Sequence, residues 1–331
     1  MNRALQPDEL RFVCPACRAA VEPGVDRYAC SGCDRIFPIL FGIPDFRLRS
    51  DRYLSLAEER DKAGRLHQAS KRLNFAQLLA YYYSITDDVS AERAKVFAGY
   101  VTDGPKRAAA DLGDFGPTGP NDALLDAGCG AGSALIAAQS HFGSMTGVDI
   151  ALRWLVICKK RLEEEGVVAN LVCADIESLP FETNQFSHIL ATDVIEHVYD
   201  RGAAVCALAA QLAPHGLLWM SAVNRLWPGP HPATGKWAAG YRSKRAAAPG
   251  GYDPLRNVVQ LTARDARDDC VKAGLDVLNI APRRRPNTEA SGRGLFEQFA
   301  IGAYSAIHRV PAFAPALTRF GPAFQILATK P

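Results

Sequence analysis

Residues 123–143 read ALLDAGCGAGSALIAAQSHFG, and the order of residue types in this stretch decides the fold. An apolar run reaches Asp126, glycines follow at 128, 130 and 132, and a helical apolar pattern begins at Ser133. Strand, glycine loop and helix in that order is the context in which a glycine motif binds a nucleotide, because a loop without Cβ atoms lets the ligand lie against the backbone. The spacing is G-x-G-x-G, with Ser133 where a dinucleotide fingerprint has its third glycine. It therefore suits a ligand without a pyrophosphate, and Asp126, Gly128, Cys129, Gly130 and Gly132 are its candidate contacts.

Working outward, three more apolar segments end on aspartate. Met145–Val148 stops at Asp149, 21 residues after Gly128, where a carboxylate can accept both ribose hydroxyls. NLVCAD (170–175) stops at Asp175, and FSHILATD (186–193) at Asp193. One strand-end aspartate alone is usually a turn residue or a helix cap. Asp126, Asp149, Asp175 and Asp193 in succession predict a row of carboxylates along one edge of a parallel sheet; for Asp193, main-chain atoms are as good a candidate as the carboxylate.

LLDAGCGAGSAL resembles the first motif of class I S-adenosylmethionine (SAM)-dependent methyltransferases, and DVIEHV (193–198) resembles the corresponding stretch of ubiquinone-type O-methyltransferases. The resemblance implies an α/β, Rossmann-like, seven-stranded class I methyltransferase fold whose last two strands pair antiparallel. It implies SAM as cofactor, with Asp126 facing its ammonium, Asp175 accepting from the adenine amino group, and Ile150 and Ile176 flanking the base. The rest of the chain supplies the missing elements: a helix over 200–212, a turn at APHG, a fifth strand at LLWMSAV (217–223), a helix from Thr262 with Asp265 at capping-box spacing, and strands at Leu275–Ile280 and Ala323–Thr329.

Upstream, FVCPACRAAVEPGVDRYACSGC (12–33) holds two C-x2-C knuckles, Cys14 with Cys17 and Cys30 with Cys33. Four thiolates close a tetrahedron around one Zn²⁺ and leave no position for water, so the site is expected to be structural. Unligated thiols are the alternative, but so short a segment lacks a core and needs a staple. RIFPILFGIPDF (35–46) resembles the tail of Trm112-like zinc ribbons, which support or partner methyltransferases. Cys129, Cys158, Cys173, Cys206 and Cys270 sit among apolar residues and are expected in the core.

The expected organisation is a zinc ribbon (1–49), a helical linker or lid (50–118) and the methyltransferase domain (119–331). Residues 51–116 show helical periodicity, for instance at Leu73, Ala76, Leu79, Ala80 and Tyr83, then Val96, Phe97, Tyr100 and Val101, and predict two or three helices. Consecutive Tyr81, Tyr82 and Tyr83 cannot all face one way, so they divide between core packing and a lid over the nucleoside. Two insertions depart from a minimal core: a substrate loop (224–258) with Trp227, His231, Trp237 and Tyr241, and an apolar cap (283–321). The loop's NR…PHP…G.W..GY pattern resembles bacterial methyltransferases associated with glycan or lipid-linked glycan modification.

A hydroxyl acceptor needs a base, and His197 and His231 are the candidates, with Glu196 placed to orient His197 or a water. Otherwise His197 is a helix-start residue packed against its loop. His188, inside a strand, and His215, in a turn, are set aside.

Composition limits the alternatives. The chain has 331 residues, 48% apolar and 22% charged, with a net charge of +3 that one Zn(Cys)4 site would bring to about +1. That gives no argument for a polyanionic partner. An rRNA guanine-N methyltransferase remains a rival, with PRRRP (282–286) and RSKR (242–245) as phosphate contacts in place of solvated turns. A non-catalytic adaptor that keeps the SAM fold only as shape is the second. No apolar run reaches 18 residues, and the start, MNRALQPDEL, has no apolar signal region. A cytoplasmic chain is expected, with peripheral membrane contact left open.

Overall fold

The computed structural model describes residues 10–86, 89–226, 261–283 and 311–331. His231, RSKR, Arg284–Pro286 and most of both insertions lie outside them.

The two knuckles shape a small antiparallel sheet in the order β1 (Val21–Pro23), β2 (Arg27–Cys30), β3 (Ile36–Leu40) and β4 (Ile43–Pro44). Four helices follow, not two or three: α1 (Leu56–Ser70), α2 (Phe75–Ser84), α3 (Ala91–Thr102) and α4 (Gly104–Leu112). The extra break falls at Asp103-Gly104-Pro105, where Pro105 occupies the first turn of α4, a position that needs no N–H. Reciprocal capping boxes start α1 (Ser55 with Glu58) and α2 (Asn74 with Gln77). On α2 the buried face is Leu78, Leu79, Tyr82 and Tyr83, so Ala76 and Ala80 are exposed. On α3, Val96 and Tyr100 are also exposed.

The main sheet is built from β5 (Ala123–Ala127), β6 (Ser144–Asp149), β7 (Asn170–Cys173), β8 (Phe186–Thr192), β9 (Leu212–Val223), β10 (Asp276–Pro282) and β11 (Ala323–Thr329). All five β5 positions are buried, as a central parallel strand covered on both faces requires. Between strands run α5 (Ser133–Ala138), α6 (Leu152–Glu165), α7 (Arg201–Gln211), α8 (Ala263–Lys272) and α9 (Ala314–Phe320). Thr262 and Asp265 cap α8 with the expected box.

The order β10-β11-β9-β8-β5-β6-β7, with β11 antiparallel to both neighbours, is the class I methyltransferase sheet expected from the sequence. The chain winds outward from β5 to β7, then returns to β8 on the other side. The C-terminal tips of β5 and β8 thus flank the switch point where such sheets bind ligands. APHG is absorbed into β9 as a register shift between Phe186 and His188, with His215 at φ +61°.

The ribbon docks on the β7 edge. Asp45 bridges Cys173 in parallel, the Phe46 N–H donates to the Cys173 carbonyl at 2.8 Å, and the Arg18 guanidinium donates to the carbonyls of Leu179 (2.7 Å) and Phe181 (2.6 Å). Phe12 and Phe37 stack around Phe46, with Phe181 against Phe12. Ribbon and sheet thereby share one core and an edge strand is covered. Cys129, Cys158, Cys173 and Cys270 are buried, but Cys206 is exposed. On α7 the buried positions are 204, 205, 208, 209 and 211, and residue 206 falls on the opposite face.

Candidate functional site

The glycine loop is held from below. Val148 O accepts the N–H groups of both Gly128 (2.7 Å) and Cys129 (3.0 Å), while the Asp149 carboxylate accepts those of Gly130 (2.9 Å) and Ala151 (2.8 Å). Gly128 has φ +81°, and a Cβ there would stand 2.6 Å from Val194 Cγ2, so the turn admits no side chain.

A cavity of about 670 Å³ opens above this loop. Six of the sequence-predicted contacts line it: Gly128, Asp149, Ile150, Asp175, Ile176 and Asp193. His197 stands on the same wall. Asp126, Cys129, Gly130 and Gly132 do not line it; the Cys129 thiol packs over Gly147 instead. The facing wall comes from the helices, with Tyr82, Tyr83, Phe97, Tyr100 and Trp154, so two of the three tyrosines combine the packing and lid positions.

Electrostatics separate the carboxylates. Asp126 is 3% exposed and has no side-chain partner among the described residues; burial, with the Asp149 charge adding to it, pushes its carboxyl up to about 7. Burial also raises Asp149, against the two N–H groups that it accepts and the nearby Arg153. Asp175 receives the Arg49 Nε–H at 2.6 Å and the Glu177 N–H at 3.0 Å. Asp193 adopts φ +50° and accepts from Arg283 Nη1 at 2.6 Å, while Arg283 Nη2 donates to Asp111 at 2.7 Å.

Sequence reasoning missed several of these residues. Arg283, taken as a phosphate contact or a solvated turn, is 6% exposed and lies over Trp219. Removing one partner from such a buried pair costs about 3–5 kcal/mol. The segment 45–54, leaving the ribbon, forms a strap across the cavity. Arg47 pairs with Asp45 and donates to Ile150 O, Arg49 pairs with Asp175, and Asp51 and Glu59 both hold Arg153. Asp51, Arg52, Tyr53 and Leu54 line the cavity.

Glu196 does not orient His197. Its Oε1 accepts the Val223 N–H at 3.2 Å, and burial together with the Asp193 charge pushes its carboxyl up to about 8. Tyr53 is the residue that meets His197, its hydroxyl 3.1 Å from Nδ1. Burial lowers the His197 pKa, with Asp193 opposing and Arg52 acting in the same direction, which favours the neutral ring.

In the ribbon, the sulfurs of Cys14, Cys17, Cys30 and Cys33 all lie within 4.8 Å of one another. Cys14 to Cys33 is 3.6 Å and Cys17 to Cys30 is 3.4 Å, close to the edge of about 3.8 Å in a tetrahedron with 2.3 Å metal–sulfur bonds. The Gly32 N–H donates to Cys30 Sγ, and Arg35 donates to Cys33, holding that thiol down at about 6. This donor set fits a structural zinc site.

The family model described as Methyltransferase domain matches residues 125–220, the span from within β5 into β9. A ubiquinone biosynthesis O-methyltransferase of Coxiella burnetii is 33% identical over 102 residues, covering 31% of this chain and 44% of that protein. Its namesake from Methylocella silvestris is 34% identical over 103 residues, covering 31% and 40%. The chain thus spans less than half the length of these curated relatives. Among solved structures, geranyl diphosphate methyltransferase in complex with SAM aligns at TM-score 0.48 and 19% identity, covering 70% of this chain and 91% of that one. The complex between the Haloferax volcanii Trm112 methyltransferase activator and a putative methyltransferase aligns at 0.49 and 15%, covering 78% and 99%.

Proposed function

We propose that this chain is a SAM-dependent methyltransferase that methylates a hydroxyl of a small-molecule, glycan or lipid-linked acceptor, and that the four cysteines hold one structural Zn²⁺. The observation that carries the reading is a single cavity at the tips of β5, β6, β7 and β8, lined by the peptide bend at Gly128 and by Asp149, Asp175 and Asp193, with His197 on the same wall. When bound, SAM supplies a methyl group already activated by its sulfonium, so the protein's task is alignment and proton removal.

Each residue has a part in that task. Asp149 presents its carboxylate where the ribose would lie, already fixed by the loop N–H groups. Asp175, clamped by Arg49, would take the adenine edge, with Ile150 and Ile176 on either side of the base. His197, whose neutral form burial favours, is able to take the acceptor's hydroxyl proton. The aromatic wall of Tyr82, Tyr83, Phe97 and part-exposed Tyr100 favours an acceptor with an apolar body, consistent with a lipid-linked one. Arg283 is committed to Asp111 and Asp193, which removes it as a phosphate contact and weakens the rRNA reading.

Titration calorimetry with S-adenosylhomocysteine (SAH) is the test. The full chain is expected to bind at micromolar strength, and Asp149→Ala to lose binding, since it removes a ribose acceptor and an anchor of the glycine loop together. No heat with the parent chain would refute the assignment and leave the adaptor reading.

A further inference from the structure

Tyr53 reaches His197 across 144 positions of sequence and is the ring's one hydrogen-bond partner among the described residues. Its own placement is over-determined. Asp51 Oδ1 accepts the N–H groups of Tyr53 (2.9 Å) and Leu54 (2.7 Å), which turns the backbone and fixes the direction of the phenol. The same carboxylate pairs with Arg153 at the start of α6 through Oδ2 at 3.0 Å. One residue before Tyr53, Arg52 donates to Val198 O at 2.6 Å, the carbonyl next to His197 in the chain. Three residues further back, Arg49 is held by Asp175 and Glu177. The phenol therefore arrives at the imidazole from a strap tied to the segments that follow β6, β7 and β8.

We propose that Tyr53 is a positioning residue for His197: its phenol oxygen accepts the Nδ1 proton, so that Nε2 offers its lone pair to the acceptor hydroxyl. This rests on the methyl-transfer reading above. In the step so written, the acceptor O–H proton passes to Nε2 as the new O–C bond forms and the donor C–S bond breaks, and the imidazolium later returns that proton to solvent. The Nδ1–H···O bond becomes charge-assisted in the imidazolium, so Tyr53 favours the protonated ring. Burial and Arg52 act against this and Asp193 acts with it, while Glu196 on the same turn is mostly neutral at pH 7. The arrangement follows the logic of an orienting group behind a histidine base, with a phenol in the place more often taken by a carboxylate.

The test reads the ring directly and needs no acceptor. Histidine-selective ¹⁵N labelling of the full chain, with His197→Ala to assign the resonance, gives the tautomer and pKa of His197. The parent is expected to hold the Nδ1–H form. In Tyr53→Phe the ratio of that form to the Nε2–H form should fall by roughly three- to tenfold, the factor one hydrogen bond of this class is worth, and the pKa should drop by about half to one unit. An unchanged tautomer, or a pKa that rises, overturns the proposal. Should Tyr53→Phe fail to fold, 3-fluorotyrosine at this position keeps the shape and weakens the acceptor oxygen; it should move both readings the same way by a smaller amount, and no movement overturns the proposal equally. SAH binding is measured on the same samples. Its absence in the parent would sink the methyltransferase reading, while the NMR result would still decide the Tyr53–His197 pairing.

Discussion

Replacing Asp126 by asparagine separates its charge from its shape. Asp126 is buried at the tip of β5 with no side-chain partner among the described residues, and its carboxyl is pushed up to about 7, chiefly by burial. In the empty protein it is mostly protonated at pH 6 and mostly charged at pH 8. Asp126 does not itself line the cavity but stands two residues before Gly128, which does; a ligand ammonium that reaches it would favour the carboxylate, and binding at pH 7 should then release up to about half a proton. SAH affinity should then rise by up to roughly tenfold from pH 6 to 8 and level off above that. Asp126→Asn should abolish the proton release and flatten the rise, matching the parent at pH 6 and falling behind it at pH 8.

Stability supplies a second reading with no ligand. A carboxyl raised from about 4 to about 7 on folding contributes stability that is complete below pH 4 and lost as pH rises through 7, on the order of 4 kcal/mol. The Tm of the empty parent should therefore fall from pH 5 to 8 relative to Asp126→Asn. Calorimetry in buffers of different ionisation enthalpy counts the protons, and scanning calorimetry follows the Tm. A parent whose affinity is level from pH 6 to 8 with no proton released, or a variant that keeps the full slope, refutes the reasoning.

Two further outcomes follow from the geometry. Gly132→Ala and Gly166→Ala both place a side chain at positive φ, +74° and +66°, but only the first brings a Cβ to 2.6 Å from Cys158 Sγ, while the second meets nothing within 4 Å. Thermal unfolding should show a loss of about 1 kcal/mol for Gly166→Ala and a distinctly larger one for Gly132→Ala; equal losses would contradict the packing under the loop. The purified parent should carry one zinc per chain by elemental analysis, and Cys30→Ser should lose it with a lowered Tm, because Cys14 and Cys30 share a core with Phe37, Phe46 and Phe181. A metal-free parent of unaltered Tm would remove the zinc assignment.

How much of this was legible in the sequence depends on how far apart the interacting residues stand. Strands that end in aspartate, the glycine loop, the cysteine knuckles and the Thr262 capping box are local patterns, each settled by neighbours within a few positions, and the sheet follows from their order. Two misses were also local and could have been caught. Asp103-Gly104-Pro105 carries a helix-stop and helix-start signal between α3 and α4, and the 3.6-residue period places Cys206 on the face opposite Leu208.

The residues that complete the site are of another kind. RLRSDRY (47–53) has four charged side chains in seven positions and reads as a solvated linker, because nothing within it shows what those charges meet. Arg49 finds Asp175 across 126 positions, Tyr53 finds His197 across 144, and Arg283 finds Asp111 across 172. A buried charge is tolerated only with its partner in place, so the burial of Arg283 and the direction of Tyr53 are properties of the assembled sheet. If Tyr53 orients His197 as proposed, the ribbon shares in that role, because the strap that carries Tyr53 begins at Asp45, the residue that bridges to Cys173 at the end of β7.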